Sequence, residues 1–134
     1  MALTLALTAI GCVEPSHVES PWAAAGGPPW AGPAPSGERG LASWYADRFV
    51  GRRTSSGQPY DPLDLTAAHR TLPFGAVVDV VRDDGRHVVV RVNDRGPYEP
   101  GRVIDLSRAA AEAVGMVREG IVPVTVRVIW LPPR

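Results

Sequence analysis

Residues 75–97 read GAVVDVVRDDGRHVVVRVNDRGP. Two valine-rich runs flank a polar tetrapeptide, and the second run stops in a knot of charged and turn-forming residues. Ala76 to Val81 carries Val77, Val78, Val80 and Val81, a density of β-branched side chains that suits a strand. Asp83-Asp84-Gly85-Arg86 is a hairpin turn, because Asp-Gly tolerates the positive φ that a tight turn demands. His87 to Val92 returns as the partner strand, and its end delivers Asn93 and Asp94. A hairpin this strongly marked sets the domain as a β structure, with a polar knot (Asn93 to Pro97) held at a strand end.

The rest of the chain continues the pattern in both directions. Leu41 to Ala46 (LASWYA) reads as a first strand. Pro73-Phe74-Gly75 is a turn, and Arg102 to Leu106 is a short strand. Ser107 then looks like the N-cap of an Ala-rich helix from Arg108 to Val114 that ends at Gly115. Ile121 to Leu131 is the last strand, with Val122, Val124, Val126, Val128 and Trp130 on one alternating face, and Pro132-Pro133 terminates it. Between the first strand and the hairpin, Asp61 or Asp64 would cap a short helical turn from Thr66 to His69. The expectation is an all-β domain of small α content: six short strands and one or two short helices, closed into a barrel that leaves no strand edge exposed.

Composition bounds the function. Of 134 residues, 45% are hydrophobic, enough for a core, and the formal net charge is zero, which gives no case for nucleic-acid binding. Residues 1–12 form an apolar run ending at the sole cysteine, Cys12, too short to span a bilayer but suited to a signal peptide. Ala9-Ile10-Gly11-Cys12 resembles a bacterial lipobox, although it lacks the usual Leu and the basic residues that precede one; a start codon assigned downstream of the true one would account for the latter. Residues 13–38 are rich in Pro, Gly and Ala and read as an extended, disordered tether, leaving 39–131 as the folded domain. A single lipid anchor at Cys12 would place the protein on a membrane, not through it.

The stretch Gly51 to Leu72, GRRTSSGQPYDPLDLTAAHRTL, has few large apolar residues and contributes little to a core, so it reads as a surface site held by a scaffold. It carries Asp61 and His69, and the polar knot adds Asp94. Each has a second reading: Asp61 before Pro62 as a turn starter, His69 after two alanines as a core-edge histidine, Asp94 as a turn acid paired to an arginine. The acids and imidazoles lack metal-ligand spacing, so neither metal nor cofactor is expected.

Taken together, Ala42-Ser43-Trp44-Tyr45, Gly51-Arg52, Thr54-Ser55-Ser56-Gly57, Tyr60-Asp61, Leu65 to Gly75, Val90 to Pro97 and Ile104-Asp105-Leu106-Ser107 resemble the RlpA (rare lipoprotein A) family. The resemblance runs in one order from about Gly40 to Val128. It implies a double-psi β barrel, similar to expansins and to one class of membrane-bound lytic transglycosylases. It also implies a monomeric protein, secreted or lipid-anchored in the bacterial envelope on the periplasmic or outer-membrane side. Such a protein would cleave the bond between N-acetylmuramic acid and N-acetylglucosamine in peptidoglycan strands stripped of stem peptides, forming a 1,6-anhydro product. The alternative is a non-catalytic, expansin-like glycan binder. The resemblance places Asp61 and His69 at catalytic positions in the long loop and Asp94 as acid or as the charge that tunes it. Tyr45, Thr54, Ser56, Gln58, Tyr60 and Arg95 fall along the expected glycan cleft, with Arg95 also readable as a fold-holding cation. Many members carry Glu where Gln58 stands, and many end in a SPOR domain that this sequence does not include.

Overall fold

The computed structural model describes residues 37–134. The expected lipobox at Cys12, and residues 13–36 of the expected tether, lie outside the described residues; Glu38, expected as the end of that tether, instead begins the first strand because it pairs with Val126. Six strands close into a barrel: β1 (Glu38–Trp44), β2 (Thr66–Ala68), β3 (Val77–Arg82), β4 (His87–Asp94), β5 (Arg102–Leu106) and β6 (Val122–Trp130). Their order around the barrel is β1-β5-β2-β4-β3-β6. β1 runs parallel to β5 and β2 parallel to β4, while the remaining neighbours are antiparallel. Two parallel pairs inside a six-stranded closed barrel are the double-psi arrangement expected from the resemblance.

The hairpin forms where the sequence placed it. Val78 pairs with Val90 and Val80 with Val88, and Gly85 takes φ +90° in the turn between them. The period of two sends Val78, Val80, Val88, Val90 and Val92 into the core and turns Val89 and Arg91 outward. β6 closes the barrel between β3 and β1, burying Val122, Val124 and Val126. The inward face expected of this strand runs out at its end, where Trp130 is half exposed.

One segment departs from expectation. Thr66 to Ala68 is not a helical turn but a strand, hydrogen-bonded to β4 on one side and β5 on the other. Three residues are too few to show a period, and alanines favour a helix locally. Pairing on both sides, which local sequence does not report, outweighs that preference.

The helix α1 (Arg108–Ala113) is capped as its sequence indicates: the Ser107 hydroxyl accepts a hydrogen bond from the Ala110 amide at 3.2 Å and donates one to the Asp64 carbonyl at 2.5 Å. It buries Ala110, Ala111 and Val114 against the barrel. Gly115 follows with φ +67°, the left-handed conformation that favours glycine just past a helix end. A 3-10 turn at Asp47–Phe49 completes the helical content of the described residues.

Candidate active site

Strand register builds a row of side chains at one end of the barrel. Ser43 on β1 pairs with Asp105 on β5, Asp105 with Ala68 on β2, and Ala68 with Asp94 on β4. Residues directly opposite in neighbouring strands share a face, so the two aspartates flank Ala68 across two strand spacings, about 9–10 Å between backbones. A register shift between Ala67 and Ala68 lets Asp94 take the place opposite Ala68.

The two carboxyls have opposite environments. Burial raises the Asp94 carboxyl, but hydrogen bonds outweigh it: the Tyr45 hydroxyl donates at 2.5 Å, and the amides of Ser55 and Arg95 donate at 2.8 and 2.9 Å. Asp94 is held below the usual carboxylate value and is a charged acceptor. Asp105 accepts a hydrogen bond from the Ser43 hydroxyl, and Arg102 lowers it by charge, yet burial dominates and, with Glu99 and Asp94 nearby, its carboxyl is pushed up. Tyr45 is itself raised, first by burial and then by its bond to Asp94, so it remains a hydroxyl donor. One lowered and one raised carboxyl on a shared face are an acid–base pair in form.

Tyr45 is braced rather than free. Its ring packs on Tyr60 at 4.8 Å and meets Phe49 edge-on at 5.9 Å. Tyr60, expected along the cleft, is buried, and its hydroxyl accepts from the Arg108 amide; it supports Tyr45 from behind. Thr54 donates to the Gln58 carbonyl at 2.7 Å and shares a 3.0 Å hydrogen bond with Ser56, closing the loop that carries Ser55 to Asp94.

The imidazole sits differently from a surface base. His69 is 4% exposed. Its Nδ1 accepts from the amides of Thr71 and Leu72 at 3.2 and 3.1 Å, which puts the proton on Nε2, 2.8 Å from the Glu38 carboxylate. Both ring nitrogens are engaged, and it is the His69 backbone amide that meets Asp94, donating to its carbonyl at 3.1 Å. The core-edge reading is the one this geometry matches. Asp61 is exposed and accepts from the Leu63 amide at 2.9 Å, as a turn starter does. Arg95 donates to the carbonyls of His69 and Leu72 and lies 4.1 Å over the Phe74 ring, so it acts as a fold-holding cation.

Gln58 lies on the outer wall of the barrel between two shallow depressions. One, of about 240 Å³, is lined by Ser56, Gln58, Phe74, Arg91 and Asn93. The other, of about 350 Å³, shares Gln58, Arg91 and Asn93 but adds Asp61 and Asp64. Among the described residues, no group of three or more His, Cys, Asp and Glu side chains is placed to hold a metal ion.

A model of the lytic transglycolase family matches residues 37–126. The chain belongs to that family. It is 52% identical over 93 residues to a Vibrio cholerae protein named endolytic peptidoglycan transglycosylase RlpA, covering 69% of this chain and 35% of that one. The chain spans between a quarter and about two fifths of the length of the curated relatives it matches. Among solved structures, this lytic transglycolase domain is similar to Streptomyces papain inhibitor, with TM-score 0.55 and 25% identity over 72% of this chain and 99% of that one. It is also similar to the expansin of Clavibacter michiganensis, with TM-score 0.54 and 25% identity over 72% of this chain and 52% of that one. The family and the barrel expected from the resemblance are both borne out.

Asp105 does not stand out in the sequence: within Ile104-Asp105-Leu106-Ser107 a single acid among apolar residues reads as part of a strand. The available signal is an acid two residues before the N-cap serine, with no turn residue to explain it.

Proposed function

We propose that this chain is a lytic transglycosylase that cleaves N-acetylmuramyl–N-acetylglucosaminyl bonds of peptidoglycan strands, and that Asp105 and Asp94 carry the chemistry. The observation that supports it is the Ser43–Asp105–Ala68–Asp94 row, in which burial raises one carboxyl while hydrogen bonds lower the other. Asp105 donates its proton to the glycosidic oxygen as the bond from C1 to that oxygen breaks. The developing oxocarbenium charge is stabilised by the Asp94 carboxylate. The C6 hydroxyl of the same muramyl residue then attacks C1, forming the C1–O6 bond, and its proton passes to Asp94. No water enters the product, so the second carboxylate need not position one. Proton exchange with solvent restores both groups.

His69 is a positioning residue in this scheme. It anchors the backbone beneath Asp94 and draws Glu38 against the barrel. One chain supplies the whole row, so a monomer suffices. The lipobox-like Ala9-Ile10-Gly11-Cys12 supports an envelope protein anchored through a lipid at Cys12. Release from the membrane fraction in Cys12→Ser, expressed behind a complete signal sequence, is the expected result.

The deciding experiment incubates the full chain with peptide-free glycan strands and examines the ends by mass spectrometry. The expected products end in 1,6-anhydromuramic acid. Reducing muramyl ends would show hydrolysis instead. Strands retained without any cleavage would support the non-catalytic glycan binder, which the likeness to an expansin favours.

A further inference from the structure

A register shift between β1 and β5 decides which way Arg102 faces. Leu41 pairs with Arg102 but its neighbour Ala42 pairs with Ile104, so Val103 is an extra residue in β5. Ser43 then pairs with Asp105. Leu41 and Ser43 lie on one face of β1 by the period of two, and directly paired residues share a face. Arg102 and Asp105 therefore share that face, although residues three apart in a regular strand face opposite ways. Their backbones are separated by two strand residues of β1, roughly 7 Å. A bulge re-aims a side chain in this manner. Gly40 makes room for it, because a Cβ there would overlap the Val103 side chain.

The Arg102 guanidinium is held but not spent. Its Nη1 donates to the Glu99 carboxylate, while its Nε is buried and has no hydrogen-bond partner among the described residues. A buried donor without an acceptor is rare and costly in a folded chain. The loop that carries both residues is fixed by Arg70, whose guanidinium donates to the carbonyls of Pro97, Glu99 and Arg102. The two charges differ in shelter: the Arg102 side chain is 21% exposed and that of Glu99 71%. Solvent screens the anion more than the cation, so Asp105 meets a net positive neighbour. Burial is the largest influence on the Asp105 carboxyl and raises it; among the surrounding charges, the lowering by Arg102 exceeds the raising by Glu99 or by Asp94. The other groups facing Asp105 are Asp94 beyond Ala68, Tyr45 with its hydroxyl bound to Asp94, and the Ser43 hydroxyl, none of them a cation.

An acid that gives up its proton in a partly buried place leaves a carboxylate there, and a buried charge needs a partner. We propose that Arg102 is a positioning residue for the acid step: its guanidinium receives the negative charge left on Asp105 when the proton passes to the glycosidic oxygen, and Glu99 holds that guanidinium in place. The proposal rests on the reading of Asp105 as the proton donor. Glu99 also tempers the cation. Without it Arg102 would act on Asp105 unopposed, and the acid would lose its proton to solvent at lower pH, before a substrate arrives.

The test follows two signals from the full chain. One is the carboxyl carbon of Asp105, observed by NMR with isotope-labelled aspartate, assigned by its loss in Asp105→Asn and titrated with pH. The other is the pH–rate profile for release of 1,6-anhydromuramyl ends from peptide-free strands. Arg102→Gln should make Asp105 keep its proton to higher pH and carry the alkaline limb of the profile with it. The plateau kcat should fall roughly three- to tenfold, the scale of one charge at this range. Arg102→Lys keeps the charge and should return the titration toward that of the parent. Glu99→Gln should move both signals to lower pH. Glu99 is exposed, so this variant keeps the fold and supplies the sign even where Arg102→Gln fails to fold. A merely structural role for the pair would not give opposite shifts. The proposal is overturned by an Asp105 titration that either folded variant leaves in place, by shifts of the same sign in both, or by a lysine variant that behaves like the glutamine one. If the titration moves as stated while the alkaline limb stays, the role of Arg102 toward the Asp105 charge stands and Asp105 as the proton donor falls.

Discussion

Asp105→Asn separates catalysis from stability in one substitution. Asn keeps an oxygen in place to accept the Ser43 hydroxyl, so the cross-strand bond survives. What disappears is the transferable proton. General acid catalysis of this kind contributes about 10²–10⁴-fold, or roughly 3–5 kcal/mol of barrier, and that is the expected fall in kcat with little change in KM. Stability should move the other way. The folded-state carboxyl is raised, chiefly by burial, so its contribution to stability is complete below the free carboxyl range and is lost as pH rises through the raised value. Asn never ionises and escapes that loss. Near neutral pH the variant should match or exceed the parent by on the order of 1 kcal/mol, discounted because the group is partly solvated. For a domain of about 100 residues, 1 kcal/mol is about 4–8 °C in thermal midpoint. The assay pairs release of anhydromuramyl ends with thermal unfolding at pH 5 and pH 7.5. Parent-like turnover would refute Asp105 as the acid. A fall of several degrees at pH 7.5 would show that Asp105 holds the fold as an ion instead.

Other substitutions probe the neighbours. Tyr45→Phe removes the strongest bond lowering Asp94, so the acid limb of the pH–rate profile should move to higher pH; an unmoved limb would mean that Asp94 is not the ionised partner. The same profile in the parent should fall on the alkaline side as Asp105 loses its proton, giving a bell with an acidic optimum, and a sigmoid rising to alkaline pH would contradict the assignment. His69→Ala strands the Thr71 and Leu72 amides and should cost about 2–4 kcal/mol, read as a lower urea midpoint together with lost activity. An unchanged midpoint with lost activity would return His69 to a reacting role. Ser107→Ala deletes the cap of α1 and should cost about 1 kcal/mol with turnover retained.

Much of the fold is legible along the chain because it is written in local terms. The hairpin from Val77 to Asp94 is marked by valines at period two and a turn needing positive φ. The helix is marked by Ser107 at its start and Gly115 after its end. β2 was not legible, because Thr66-Ala67-Ala68 becomes a strand only through partners at residues 91–94 and 105–106. The site divides the same way. Asp94 and Tyr45 stand out in sequence as an acid in a polar knot and an aromatic at a strand end. That they touch at 2.5 Å follows from barrel closure.

The sequence by itself determined the family, the barrel and the polar segments that flank it, since these rest on residue types and spacings carried by contiguous stretches. Which side chains meet was decided only in three dimensions. His69 and Asp61, prominent in the loop, turn to backbone amides, while Asp105, inconspicuous in its strand, comes to face Asp94 across Ala68. The physical reason is that a carboxyl's proton affinity is set by burial and by neighbours brought from distant strands, and neither is a property of the local chain.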